Sequence, residues 1–113
     1  MSSQDYSQKN MDVVAAHFHS EELNEIEAAL ELYTDDIIWE APARGLIFKG
    51  KRDVAENYHK IFGSVEDVSF KNLDRFATVD RVTDDSIVSF TITKEGYLPF
   101  PVGQKVEMRL VHI

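Results

Sequence analysis

Hydrophobic positions follow two rhythms along this chain, a helical one up to about residue 62 and an alternating one after it. Met11, Val14 and Phe18 recur near helical spacing and predict a first helix from about Ser7 to Ser20. After a break around Glu22–Asn24, the residues Leu23, Ile26, Leu30 and Tyr33 fall at i, i+3, i+7 and i+10. They make one apolar stripe, with Glu25, Glu27 and Glu31 turned to water. Asn24 is the expected N-cap of this second helix, and Asp35-Asp36 its end. Ile37-Ile38-Trp39-Glu40-Ala41 then reads as a strand stopped by Pro42, and Leu46-Ile47-Phe48 as a short second one. A third helix is expected over about Arg52–Phe62, with Val54, Tyr58, Ile61 and Phe62 on one face and Gly63 as its C′ residue.

Beyond Gly63 the period falls to two. Val68 and Phe70 alternate with polar neighbours, and a mixed stretch runs from Leu73 to Val79. The Asp- and Thr-rich segment Val82 to Ser86 reads as a turn. Val88, Phe90 and Ile92 form the inward face of the next strand. Lys94 to Gly103, with Pro99 and Pro101, connects it to a last strand whose Val106, Met108, Leu110 and His112 share one face. Helices gathered ahead of long strands predict an α+β domain with segregated layers.

Composition narrows the partners. The 113 residues, 43% apolar, fit one domain with a real core, covering 1–113. No run approaches the ~18–20 apolar residues of a membrane span, so no membrane partner is expected. The net charge of −8, from 20 acidic and 12 basic residues, is the reverse of what tracking a phosphate backbone needs, and nucleic acid is not an expected partner. The polar stretch Met1–Tyr6 has no basic and apolar leader pattern. The absence of cysteine excludes disulfides, thiolate catalysis and cysteine-held metals, and the expected location is cytoplasmic.

An ordered set of segments then acquires meaning. Leu32-Tyr33-Thr34-Asp35-Asp36, Trp39-Glu40-Ala41-Pro42, Phe48-Lys49-Gly50-Lys51-Arg52, Tyr58 and Pro101-Val102-Gly103-Gln104-Lys105-Val106 together resemble the NTF2-like superfamily, and within it the SnoaL-like group. The resemblance runs from about residue 11 to 113. It implies an NTF2-like (cystatin-like) cone, three N-terminal helices packed on a strongly curved antiparallel sheet around an apolar cavity. It also implies a homodimer through the outer sheet face. In that pattern a further strand follows the one that includes Leu110-Val111-His112-Ile113, and it is expected beyond Ile113.

The resemblance also allows known chemistries to be tested. Ketosteroid isomerase uses an Asp base with an oxyanion hole of Tyr and a protonated Asp. Laid on this chain, the base falls on Ala41, the tyrosine at or beside His17 and the second acid near Leu110, so that chemistry is not expected. The Asp-Arg-Asp arrangement of epoxide hydrolases of this fold has ingredients in Asp74, Arg75 and Arg109, but Asp74 and Arg75 are strand neighbours and point to opposite faces. Glu40 is turned away from the face that Ala41 occupies. His17, beside Phe18, is the candidate catalytic group, since an imidazole can donate or accept near neutral pH. Its removal by His17→Ala is expected to leave folding nearly intact. His19 and His59 are expected to face water, and His17 and His19 diverge on their helix, so neither a metal nor another cofactor is expected.

Trp39, Tyr58, Phe62, Phe90 and Met108 are the expected pocket wall, with His112 as a polar group on it. Three readings of function stand at this point. The first is a pocket for a small apolar or cyclic molecule. The second is an acid–base enzyme of the cyclase, isomerase or dehydratase type using His17, and the third a protein-association module.

Overall fold

The first helix, α1 (Ser7–Glu22), leads through a sharp left-handed residue, Asn24, into the short α2 (Ile26–Glu31). The computed structural model describes residues 6–113; the polar stretch that argued against a leader lies, apart from Tyr6, outside them. Two strands, β1 (Ile38–Ala41) and β2 (Leu46–Lys49), follow as a hairpin around the turn Pro42–Arg44. Helix α3 (Lys51–Phe62) crosses to the second sheet, formed in the antiparallel order β3-β4-β5 by Val65–Ala77, Val82–Ile92 and Lys105–His112. This is the α+β architecture expected, with α1 and α2 ahead of the hairpin and α3 after it.

Local departures from the expected pattern have clear causes. Asn24 is not an N-cap: it adopts φ 56°, a conformation asparagine tolerates, to swing the chain between helices. Leu23, expected on the apolar stripe, is consequently exposed, while Ile26, Ala29 and Leu30 are buried. Helix α3 is preceded by Gly50 as its N-cap residue, whose φ of 87° and ψ of 151° suit only glycine. It ends at Gly63 for a different reason than a left-handed cap. That residue is right-handed, and a Cβ there would lie 2.6 Å from the His59 carbonyl oxygen.

The largest correction concerns Val82 to Ser86, which is not a turn but the first half of β4. Asp84, Ser86, Val88, Phe90 and Ile92 are all buried, so the inward face of β4 is one alternation from end to end. Opposite them on β5 stand His112, Leu110, Met108 and Val106. On β3, register shifts between Glu66 and Ser69 and between Asn72 and Asp74 insert extra residues that bend the strand. The second shift brings Asn72 and Arg75, three apart in sequence, onto the same inward face. The first is pinned by Glu22 of α1, whose carboxylate accepts the Phe70 N–H at 3.0 Å.

Two apolar clusters result. One lies on the sheet around Val65, Val88, Phe90, Ile92, Leu98 and Val106, the other among Ile26, Leu30, Val54 and Tyr58. Phe62 packs against both. The space between these clusters is where the cavity opens.

Candidate functional site

The cavity has a volume of about 210 Å³ and is bounded by α3, the β1 hairpin and the inward faces of β3, β4 and β5. Trp39, Tyr58, Phe62, Phe90, Met108 and His112, the residues expected to form its wall, all reach it. Ala41 also faces it, while Glu40 does not. A second cavity of about 300 Å³ lies on the α1 side and shares Trp39, Tyr58 and His112 with the first. Its wall includes His17, Glu40 and Asp84.

The polar end of the first cavity is a feature that hydrophobic patterning missed. Glu21 is only 4% exposed and lines this apolar space. It sits one helical turn after His17, and His17 Nε2 lies 2.8 Å from Glu21 Oε1. The Nδ1–H of His17 donates to the Ala29 carbonyl at 3.0 Å, because a carbonyl can only accept. Around Nε2 gather two hydroxyls, Tyr33 and Tyr58, each at 3.1 Å and 2.7 Å from one another.

His17 is therefore a buried hinge of a four-residue network and not a side chain free at a cavity mouth; it is 8% exposed. The sequence signal was the i,i+4 pairing of His17 with Glu21 beside Phe18, which puts two polar groups on the buried face of α1.

Burial governs the protonation of the hydroxyls. It pushes Tyr33 up to about 12, with the bond to Tyr58 pulling the other way. Burial also pushes Tyr58 well above 10, and the charges of Glu21 and Tyr33 add to it. Both therefore stay protonated donors at neutral pH. His112, in edge contact with Phe18 at 4.9 Å between centroids, is shifted below 6.5 by desolvation against the opposing pull of Glu21 and Asp84. It is a neutral imidazole at pH 7.

A second polar cluster, around the buried Asp84 and Ser86, stands beside His112 in the strand register. Asp84 accepts Arg75 Nε at 2.7 Å, Asn72 Nδ2 at 2.9 Å and the Ser86 hydroxyl at 2.6 Å. The Arg75 guanidinium also lies over Phe18, 5.8 Å from its ring centre. Every oxygen of Asp84 is engaged, so this cluster ties β3 to β4. Asp74 and Arg109, the other ingredients weighed for epoxide chemistry, face outward, Arg109 paired with Asp85 at 2.9 Å. His19 is exposed, and His59 is exposed and paired with Glu27 at 2.8 Å. Among the described residues, no three His, Asp or Glu side chains converge to hold a metal ion.

This architecture has known counterparts. The Mycobacterium tuberculosis LEH-like epoxide hydrolase superposes with a TM-score of 0.74 at 16% identity, over 96% of this chain and 70% of that one. A candidate polyketide cyclase from Pseudomonas putida gives 0.71 at 19% identity, over 88% and 75% of the two chains. A protein of ketosteroid isomerase-like fold from Catenulispora acidiphila, bound to trimethylamine, gives 0.67 at 17% identity, over 88% and 72%. At such identities these likenesses show the fold alone. No curated protein matches in sequence. The SnoaL-like domain pattern matches residues 14–113, which spans the helices, the hairpin and the curved sheet just described, and the chain belongs to the SnoaL-like family.

Proposed function

We propose that the cavity binds a small apolar, cyclic molecule and holds one polar group of it against Glu21 and Tyr58. One observation carries this: an apolar space of about 210 Å³ ends on a buried carboxyl and a buried hydroxyl. Small-molecule sites have this make-up, apolar walls with a few placed polar groups. A core built only for stability gains nothing from a buried carboxyl, since apolar replacement of such groups is neutral or better. The small-molecule names of the epoxide hydrolase and of the candidate polyketide cyclase agree with this use of the fold.

The probe of choice is 2-naphthol, read through the fluorescence of Trp39, the one tryptophan of the chain and part of the wall. Saturable quenching is expected, and Ala41→Leu, which fills the cavity, should weaken it by roughly tenfold or more. Quenching that Ala41→Leu leaves untouched would place the probe elsewhere and end this reading.

A second reading, proton transfer on the bound ring, is favoured by the presence of both His112 and Tyr58 in the walls of both cavities. Neutral His112 would take a proton next to a carbonyl, and Tyr58 would donate to the oxyanion. His17 stands one hydrogen bond behind Tyr58 and orients it. Proton exchange of 2-tetralone in heavy water tests this by NMR. The protein should accelerate it, and His112→Gln should remove ~10²–10⁴-fold of that acceleration. The rate should be level above pH 7 and fall as pH drops through the His112 value, which lies below 6.5. Exchange no faster than in buffer would leave binding as the whole function.

The association reading is weaker. Phe76 and Val111 are exposed on the outer sheet face, but the cavity is not filled by side chains.

A further inference from the structure

We infer that the ligand of this cavity is an amphiphilic cyclic acid whose carboxylate, or an equivalent anion, docks on Arg44. The inference rests on the pocket reading above and names the class of molecule that the pocket takes.

Arg44 closes the turn after β1 and is the one Lys or Arg side chain in the cavity wall. In a chain with 20 acidic residues against 12 basic ones, an arginine readily finds a carboxylate. Arg52, Arg75 and Arg109 have each done so, whereas Arg44 and Arg81 have no such pair among the described residues, and of these two only Arg44 lines the cavity. Arg44 has no carboxylate within ion-pair distance among the described residues; its guanidinium lies instead over the Tyr97 ring, 5.9 Å from the centre. Tyr97 is itself held, its hydroxyl donating to Asn57 Oδ1, and Asn57 is buried in α3. A ring at that distance attracts the charge but offers no acceptor to the N–H groups. Arg44 thus lines the cavity with no carboxylate holding its donors, the condition for fork-like recognition of a ligand carboxylate.

Polarity then orients the ligand. Glu21, buried in the same wall, offers an anion no cationic donor, so the charged group is assigned to the exposed Arg44. The apolar body lies across Phe62 and Phe90, and a hydroxyl or carbonyl reaches Tyr58. A molecule with an acid at one end of a ring system and a neutral polar group at the other matches this wall. A neutral hydrocarbon would leave both polar ends unmet.

The test compares 6-hydroxy-2-naphthoate with its size-matched carboxamide by Trp39 fluorescence. The acid should bind roughly fivefold or more tightly than the amide at low salt, and the ratio should shrink as salt is added. Arg44→Gln should bring the ratio to one or below, while Arg44→Lys, which keeps the charge but not the fork, should retain part of it. Thermal melting of each variant confirms that it is folded. Equal affinity of acid and amide in the native protein, or a preference that survives Arg44→Gln, overturns the anion inference and leaves the pocket reading standing. Failure of both probes and of 2-naphthol to bind overturns the two together.

Discussion

Replacing Asp84 by alanine should cost about 3 kcal/mol of stability, because it strands the half-buried Arg75 guanidinium and the buried Ser86 hydroxyl at once. Asp84 is fully buried, and the Arg75 side chain that it neutralises is 19% exposed. Apolar packing cannot compensate for the lost bonds, since the alanine methyl would face Arg75, Asn72 and Ser86. For a domain of this size the melting temperature should fall on the order of 15 °C. Asp84→Asn, which keeps one acceptor, should lose distinctly less. The double replacement Asp84→Leu with Arg75→Met should recover much of the loss, as removal of both partners of a buried pair commonly does. Differential scanning calorimetry decides this. A loss below about 1 kcal/mol for Asp84→Ala would mean that water reaches the cluster and that β4 is not sealed at its first half.

His17→Ala carries the second large effect, and here the structure reverses the sequence-based expectation of a nearly silent change. The substitution removes the partner of Glu21 at 2.8 Å, and the donor to Ala29 as well. Tyr33 and Tyr58, 2.7 Å apart, can still pair with each other, but Glu21 remains buried and short of a partner. The expected cost is about 3 kcal/mol. It should appear as a lower urea midpoint with an unchanged slope. Because the pair is coupled, adding Glu21→Leu to His17→Ala should raise stability above that of the single variant. A His17→Ala protein as stable as the native one would show that Glu21 reaches solvent through the cavity.

Much of this fold was legible in the chain because its apolar alternation is strong where the sheet is dry. Val88-Phe90-Ile92 and Val106-Met108-Leu110-His112 announced the adjoining inward faces of two paired strands. Phe90, Met108 and His112 followed from those faces, Tyr58 and Phe62 from the apolar face of α3, and Trp39 from the β1 strand. What escaped was polar and buried. Val82 to Ser86 has the composition of a turn, yet the alternation of Ile92, Phe90 and Val88 continues backwards through Ser86 to Asp84. Composition misled there because Asp84 is neutralised by Arg75 from another strand, and a bulge in β3 is needed to align them. Glu21 escaped for a similar reason, standing in an acidic run where a solvated face is the ordinary outcome. Arg44 carries no local pattern at all; its meaning comes from the cavity beside it and from Tyr97, which is distant in sequence.

The central claim is that the space between the two apolar clusters is a ligand site with a polar inner end. A crystal structure of the protein soaked with 2-naphthol tests it most directly. The rings should lie between Trp39, Phe62 and Phe90, with the hydroxyl within hydrogen-bond distance of Tyr58 or Glu21. A cavity closed by Trp39 and Phe62, with the naphthol bound only on the outer surface, would contradict it.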